Sequence, residues 1–229
     1  MKVFGSYAHY YDLLYRDKNY AGEARYIHSL IQKFHPGAKS LLELGCGTGA
    51  HAQCLADLGY ELHGVDASDS MLERARSRMS GSKQLPVEKI SFSLGDVRSV
   101  RLPNRFDAVV SLFHVMSYQV TNSDLRSAFS TALEHLSPGG IFIFDCWYGP
   151  AVLKEKPIVR VKRLEDDTVS LTRIAEPVIH PADHIVDVNY TVFIKDKTSN
   201  RIYEITETHR MRYLFPLEIE DLLSSVGFE

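Results

Sequence analysis

The chain has 229 residues and is 45% hydrophobic, enough for one α/β domain with a modest insertion or one domain plus a small subdomain. Lysine and arginine number 26 against 29 acids, a formal charge of -3 with no strongly basic block, so nucleic acid and anionic membrane are not expected partners. The apolar runs are strand-sized, the first residues carry no long apolar signal region, and the three cysteines make no disulfide framework or close metal-ligand pair, so a reduced cytoplasmic chain without a metal is expected.

Five of the 12 tyrosines fall in the first twenty residues, where residues 5–20 read as partly helical. A helix is predicted over 21–34, with Tyr26, Ile27, Leu30, Ile31 and Phe34 on one face and His35-Pro36-Gly37 as its stop. Leu41-Leu42-Glu43-Leu44 predicts a strand through a covered sheet. Gly45-Cys46-Gly47-Thr48-Gly49 then turns sharply into a helix that ends near Leu58 and Gly59. A second strand runs from Glu61 to Val65 and closes on Asp66. Ser70 to Glu73 has the spacing of a capping box, and Leu72, Ala75 and Met79 form the buried face of the helix behind it. Residues 81–86 read as a loop. The third strand, Ile90 to Leu94, ends at Gly95-Asp96, and the fourth is Phe106 to Leu112.

Asn122 or Ser123 is expected to cap the helix carrying Leu125, Phe129, Leu133 and Leu136. Pro138-Gly139-Gly140 reads as a sharp turn before a fifth strand, Ile141 to Asp145. This alternation implies a parallel sheet with helices on both faces. After it the rhythm changes. Residues 158–163, 169–174, 185–195 and 202–211 read as strands with no helix between them. Val186, Val188, Tyr190, Val192 and Ile194 share one face, while Asp187, Asn189 and Thr191 give the other a wet side. Pro216 then opens a short helix with Ile219, Leu222, Leu223 and Val226 facing inward. A helix followed by Gly227-Phe228-Glu229 ordinarily feeds another strand. The chain is therefore read as a fragment, or as lacking the last strands, with the fifth strand left as an open edge. The expected organisation is an N-terminal helical lid (1–36), a nucleotide-type core (37–150), an antiparallel β insertion (151–214) and a C-terminal helix returning to the core (215–229).

A βα crevice with a glycine turn is a nucleotide-type pocket. Gly45-x-Gly47-x-x-Ala50 also fits the dinucleotide fingerprint, so the turn alone does not choose a cofactor. Asp66 is placed to accept ribose hydroxyls in either case. Glu43, inside an apolar strand, either accepts from backbone donors of the turn or sits near a cationic ligand. Asp96 suits an adenine amino group, or holds the following loop as a cap or Asx turn. Asp107 lies at the wrong end of its strand for a ligand and reads as structural.

Glu43-Leu44-Gly45-Cys46-Gly47-Thr48-Gly49, with Asp66 and Gly95-Asp96-Val97, resembles a class I S-adenosylmethionine-dependent methyltransferase. The stretches Phe106 to Leu112 and Leu136-Ser137-Pro138-Gly139-Gly140 are similar too, so this resemblance covers about residues 37–146. A narrower one runs through most of the chain. Tyr11 to Tyr15, Lys18 to Ala24, Phe113 to Tyr118, Trp147 to Pro150 and Thr208 to Phe215 resemble nucleotide-sugar aminomethyltransferases, which dimethylate the amine of a nucleotide-linked deoxysugar. In that family small residues usually precede glycine-tyrosine after the fourth strand, where this chain has His114-Val115-Met116-Ser117-Tyr118. The usual acid and double aromatic after the fifth strand are replaced by Asp145-Cys146-Trp147-Tyr148.

The resemblance implies a Rossmann-like class I core with an antiparallel β insertion that builds the rest of the substrate cleft. It implies S-adenosylmethionine as cofactor, with S-adenosylhomocysteine as product. Direct methyl transfer to a neutral amine asks the protein to align, exclude water and supply a fitting field, with no metal and no covalent intermediate. The donor residues it implies are Tyr15, Tyr20, Glu43, Gly45, Cys46, Gly47, Asp66, Ala67, Met71, Gly95, Asp96, Val97 and Leu112. The methionine end is expected near the glycine turn, reached by backbone N–H groups, with Tyr15 and Tyr20 covering it and Tyr11 packing. Met71 either presses on the adenine or belongs to the core. His114 is the first choice for an acceptor-side base, or else a histidine bonded to the lid. Tyr118 orients the acceptor or closes the wall. Tyr15, Trp147, Tyr148, His209 and Arg210 are the expected substrate contacts. His209 reads equally as a surface residue, Trp147 and Tyr148 as cover for the fifth strand's exit, and Arg210 or Arg212 as a phosphate ligand or a wet-face charge. Against N-methylation of a small molecule stand an O- or carboxyl-methyltransferase, a non-catalytic donor-binding partner protein, and a nicotinamide dehydrogenase. The insertion's exposed face is read as a surface on which two copies could pair.

Overall fold

The computed structural model describes residues 8–81 and 89–229, so most of the loop expected over 81–86 lies outside the described residues. The chain divides into two compact units. One holds residues 8–18 and 147–215, the other residues 19–146 and 216–229. The first helix, α1 (Ala8–Leu14), belongs to the former, and α2 (Tyr20–Phe34) opens the latter.

The larger unit is built on a parallel sheet of β1 (Ser40–Leu44), β2 (Glu61–Asp66), β3 (Ile90–Leu94), β4 (Phe106–Ser111) and β5 (Leu136–Phe144), in the order β3-β2-β1-β4-β5. Between the strands run α3 (Ala50–Asp57), α4 (Asp69–Gly81) and α5 (Asn122–Glu134). β1 is central and covered on both faces, which is why Leu41, Leu42 and Leu44 are all fully buried in an unbroken apolar run. The chain adds β2 and β3 on one side of β1, then returns to add β4 and β5 on the other. That reversal opens a crevice at the carboxyl ends of β1 and β4. There the Ser111 hydroxyl donates to the Leu44 carbonyl at 2.9 Å and ties the two strand ends together.

Several expectations shift by a residue or a face. The buried stripe of α2 is Ala24, Ile27 and Ile31, while Tyr26 and Phe34 are 64% and 61% exposed. Thr121, not Asn122 or Ser123, caps α5 by accepting from the Asp124 N–H at 3.0 Å. At the head of α4 the Ser68 hydroxyl takes the capping place expected of Ser70: it accepts from the Met71 N–H at 3.4 Å and lies 2.9 Å from the Ser70 hydroxyl. Pro138-Gly139-Gly140 is an irregularity inside β5, whose register with β4 jumps between the Phe106–Leu136 and Ala108–Ile141 pairs. Leu136 opens that strand rather than ending α5. β4 is the only strand paired with β5 among the described residues. Phe142 on β5 stacks on Phe228 at 5.8 Å.

In the second unit β6 (Trp147–Tyr148), β7 (Arg160–Glu165), β8 (Val169–His180), β9 (Ile185–Asp196) and β10 (Ile202–Leu214) form a sheet in the order β6-β10-β9-β8-β7. It is antiparallel except where short β6 runs parallel to the end of β10. β8 and β10 run well past the expected ends. A short helix, α6 (Gly149–Lys154), starts with Pro150 in its first turn; a proline-glycine stretch of this length carries no helical period to read. Leu14, Leu164, Leu171, Val192 and Ile194 form this unit's core, so α1 is pinned by its last residue. Back in the larger unit, α7 (Pro216–Val226) buries Leu222 fully, while Ile219, Leu223 and Val226 are half-buried.

Asp107 holds the start of the central strand. Its Oδ2 accepts from the Lys39 N–H at 2.8 Å, the Ser40 N–H at 2.9 Å and the Ser40 hydroxyl at 2.9 Å. Replacing it with alanine strands these donors at the end opposite the crevice. We expect Asp107→Ala to cost about 1–3 kcal/mol in urea unfolding while leaving ligand affinity at the crevice unchanged.

Candidate functional site

Gly45 leaves β1 at φ +79°, and a Cβ there would lie 2.5 Å from the Val115 side chain. A side chain is excluded by conformation and by space together. The Gly45 and Cys46 N–H groups both donate to the Val65 carbonyl, at 2.7 and 3.0 Å. Gly47 donates to Asp66 Oδ2 at 2.9 Å, and Asp66 Oδ1 accepts from Ser68 at 2.9 Å. These three N–H groups are therefore spent inside the fold. Burial raises the Asp66 carboxyl above its ordinary range, against the pull of the Ser68, Gly47 and Ala67 N–H groups. With three N–H groups on its two oxygens, the Asp66 carboxylate keeps one lone pair for a further donor.

Behind the turn, Glu43 is 1% exposed. Its Oε2 has no hydrogen-bond partner among the described residues, and its Oε1 lies 3.9 Å from His51 Nδ1. Burial, with Asp66 nearby, pushes its carboxyl up to about 8. A carboxyl in this state holds its proton near neutral pH unless a cation comes to face it. His51 also reaches Glu23 with Nε2 at 2.7 Å, and Tyr20 meets its ring edge-on at 4.8 Å.

Parallel register brings the other strand exits alongside. Leu44 pairs with Val65 and Asp66 with Leu94, so Ala67, Gly95, Asp96, Val97 and Leu112 share the edge that carries the turn. Met71 on α4 is fully buried. Asp96 is engaged by Arg98 through two side-chain hydrogen bonds, at 2.9 and 2.6 Å, and by the Arg98 N–H at 2.9 Å. The Arg98 side chain holds this acid below its ordinary range. Arg98 also reaches Asp124 at 2.8 Å.

After β4 come two consecutive non-glycine residues in the left-handed region, Phe113 and His114, both at φ +66°. Such strain gathers at functional sites. The His114 N–H donates to Asp145 Oδ1 at 2.7 Å, and Nδ1 lies 3.4 Å from Asp145 Oδ2. Backbone and ring of His114 thus both face the exit of the fifth strand. Tyr118, half-buried, ends the 3-10 turn that follows.

The second unit holds its own cavity of about 390 Å³, lined among others by Trp147, Arg160, Arg173 and Tyr190. Arg173 lies 5.0 Å from the Tyr190 ring centre and donates to the Tyr15 hydroxyl at 3.3 Å. Burial, with Tyr15 nearby, pushes the Tyr190 phenol up to about 12. Tyr15 therefore stands in this unit, and Tyr20 in the other. His209 is 3% exposed and meets Tyr190 edge-on at 4.8 Å, which corrects the surface reading. Arg212 is buried, while Arg210 is exposed and 3.5 Å from Asp187. Tyr148 is 53% exposed. His51 and Arg173 carry no motif that would single them out, and Glu23 and Asp145 lie in family-like stretches without a role of their own there; the packing of α3 on α2 and the cross-strand register bring them in.

A methyltransferase-domain family matches residues 41–140. The chain is 30% identical, over 96% of its length and 89% of the relative's, to the dTDP-3-amino-3,4,6-trideoxy-alpha-D-glucopyranose N,N-dimethyltransferase of Streptomyces venezuelae. It belongs to the class I S-adenosylmethionine-dependent methyltransferases, in the family of nucleotide-sugar N,N-dimethyltransferases. A second such relative, the dTDP-3-amino-3,6-dideoxy-alpha-D-glucopyranose N,N-dimethyltransferase of Streptomyces fradiae, is 27% identical over 97% of this chain and 84% of its own. The crystal structure of Streptomyces venezuelae DesVI superposes with a TM-score of 0.81 at 27% identity, covering 100% of this chain and 92% of that one. This methyltransferase is an enzyme, and S-adenosylmethionine is its cofactor. The nicotinamide and non-catalytic readings fall with that. The crevice fits the donor chemically: it offers a cation a buried carboxyl oxygen with no partner among the described residues, beside a turn whose Gly45 has no room for a Cβ.

The Glu43 carboxyl has a consequence for the methyltransferase without ligand. In the unfolded chain a glutamate ionises near 4.5, whereas here the proton is held to about 8. Between those values the unfolded state binds fewer protons, so stability falls as pH rises and levels off above the folded value. We expect Glu43→Gln to gain stability relative to the parent across that window, on the order of a few kcal/mol, read by urea unfolding at several pH values.

Proposed function

We propose that this methyltransferase methylates the amino group of a nucleotide-linked aminodeoxysugar. What carries the reading is the extent of the likeness. It runs over 96% of the chain and so takes in the antiparallel unit, beyond the donor-binding core. When bound, S-adenosylmethionine supplies an electrophilic methyl group on a sulfonium and leaves as S-adenosylhomocysteine. Glu43 accepts the ammonium of the methionine end, and Gly45, Cys46 and Gly47 give it close approach. Asp66 accepts a ribose hydroxyl with its remaining lone pair. Ala67, Met71, Gly95, Asp96, Val97 and Leu112 border the base, and Tyr20 covers the methionine end.

His114 serves the acceptor side. Its backbone N–H is fixed by Asp145, and its ring faces the same carboxylate, which supports an imidazole that takes the proton released by the methylated amine. Tyr118 orients the acceptor. In the second unit, Arg173 and Arg160 offer planar donors to a diphosphate, and Trp147 and Tyr190 offer faces to a base. Tyr15 holds Arg173 there. His209, buried against Tyr190, supports that wall and Tyr148 follows Trp147 at its edge, while Arg210 stands on the opposite face of the sheet with Phe193 and Ile202.

The test is a turnover assay with labelled methyl donor and a panel of nucleotide-linked aminosugars, free aminosugars, alcohols and acids. We expect methylated amine from the nucleotide-linked compounds alone; product from acids or alcohols instead would overturn the assignment. Arg173→Ala should raise KM for the sugar nucleotide about tenfold and leave donor affinity unchanged.

No described helix is long and apolar enough to cross a membrane, and the three cysteines are free, which supports a cytoplasmic setting. Cross-strand register puts Val161, Val178, Phe193 and Ile202 on one exposed face of the antiparallel sheet. An apolar face of this kind supports a homodimer. Light scattering should give twice the chain mass, and Phe193→Lys should give the monomer.

A further inference from the structure

A row of polar groups runs from the interior to the surface behind the glycine turn. Glu43 on β1 is buried, and its Oε2 is without a hydrogen-bond partner among the described residues. Its Oε1 lies 3.9 Å from His51 Nδ1 on α3. The opposite ring nitrogen lies 2.7 Å from Glu23 Oε2 on α2, and Glu23 is half in solvent. Tyr20 closes the ring's edge at 4.8 Å. The other titratable groups facing Glu43 are Asp66 at the end of β2, Cys46 in the turn and Cys54 on α3. Of all these, His51 alone can become positive.

An imidazole between two carboxyl groups counts protons. Neutral, it donates one N–H; protonated, it donates two. With Nε2–H given to Glu23, Nδ1 turns a lone pair toward Glu43. We propose that His51, held by Glu23, is the positioning residue that sets the charge of Glu43, storing within the row the proton that Glu43 gives up when the methyl donor's ammonium arrives. This rests on the reading that Glu43 accepts that ammonium. In the step, the O–H bond of the Glu43 carboxyl breaks and an N–H bond forms at His51 Nδ1. The imidazolium then faces two carboxylates, no electrons change hands and no group leaves. A distance of 3.9 Å is an ion-pair separation, so ring and carboxyl must close by about 1 Å to share the proton.

The row makes donor binding neutral in protons. Without the imidazole, the Glu43 proton has to go to water, and binding acquires a pH slope. The test is equilibrium titration of the full chain with S-adenosylhomocysteine, which has the ammonium but no reactive sulfonium, between about pH 6 and about pH 8. Affinity of the parent should be nearly flat. His51→Gln should bind more weakly at the acid end and gain about tenfold per pH unit. Glu23→Gln should show the same slope in reduced form, and Glu43→Gln should be weak and flat. A purely structural His51 lowers affinity by one factor at every pH, and equal flatness in the His51 and Glu23 variants overturns the proposal. If His51→Gln does not fold by circular dichroism, the half-exposed Glu23→Gln decides alone. Failure of the parent to bind the ligand, or Glu43→Gln binding as the parent does, would instead overturn the reading of Glu43 as the ammonium's partner.

Discussion

Glu43 carries a carboxyl group that has no room for its charge, and the crevice is arranged around that constraint. It lies at the carboxyl end of the central strand, between leucines that are fully buried. Leaving it ionised and unpaired would cost several kcal/mol, so the fold keeps it protonated. The glycine turn next to it spends its first three N–H groups on Val65 and Asp66. Beside those spent donors stands the buried Glu43 carboxyl, whose Oε2 has no hydrogen-bond partner among the described residues. Burial, with Asp66 nearby, raises the proton affinity of Glu43 above that of an ordinary glutamate.

The second constraint lies on the other side of the same reversal in strand order. Phe113 and His114 leave β4 with two successive backbone conformations that side chains rarely adopt. Asp145, leaving the neighbouring strand, holds His114 there. Strain of this kind persists only when the surroundings over-determine it. The two exits place an acid and an imidazole on neighbouring strands of one sheet. The antiparallel unit supplies a different chemistry. Its arginines and aromatic rings line one cavity, a combination suited to phosphate and base.

Local pattern made most of the framework legible. An unbroken apolar run announces a strand covered on both faces, and Leu41 to Leu44 obeys it. Three closely spaced glycines announce a turn that side chains cannot make, and Gly45 confirms the reason in its contact with Val115. Alternation announced β9, whose Val186, Val188, Val192 and Ile194 are all buried. Asp107 was readable as structural because the carboxyl end of a parallel sheet, not the amino end, meets ligands. The helix faces were less readable. Tyr26 and Phe34 fit the helical period of α2 yet stand in solvent, because the period gives a stripe and only the neighbouring elements decide how wide it is.

Thus the succession of strands along the chain, the glycine turn and the acids at 43, 66 and 96 were set by the sequence alone, since each depends on residues close together in the chain. The tertiary structure decided which charges meet. His51 lies 28 residues from Glu23, and Asp145 lies 31 from His114. Arg173 meets Tyr15 across 158 residues. Whether His209 faced water or Tyr190 depended on which side of an antiparallel sheet was covered, and one residue of register would have reversed it. Protonation belongs to the same class: a glutamate is an ordinary acid until burial removes the water that would solvate its charge.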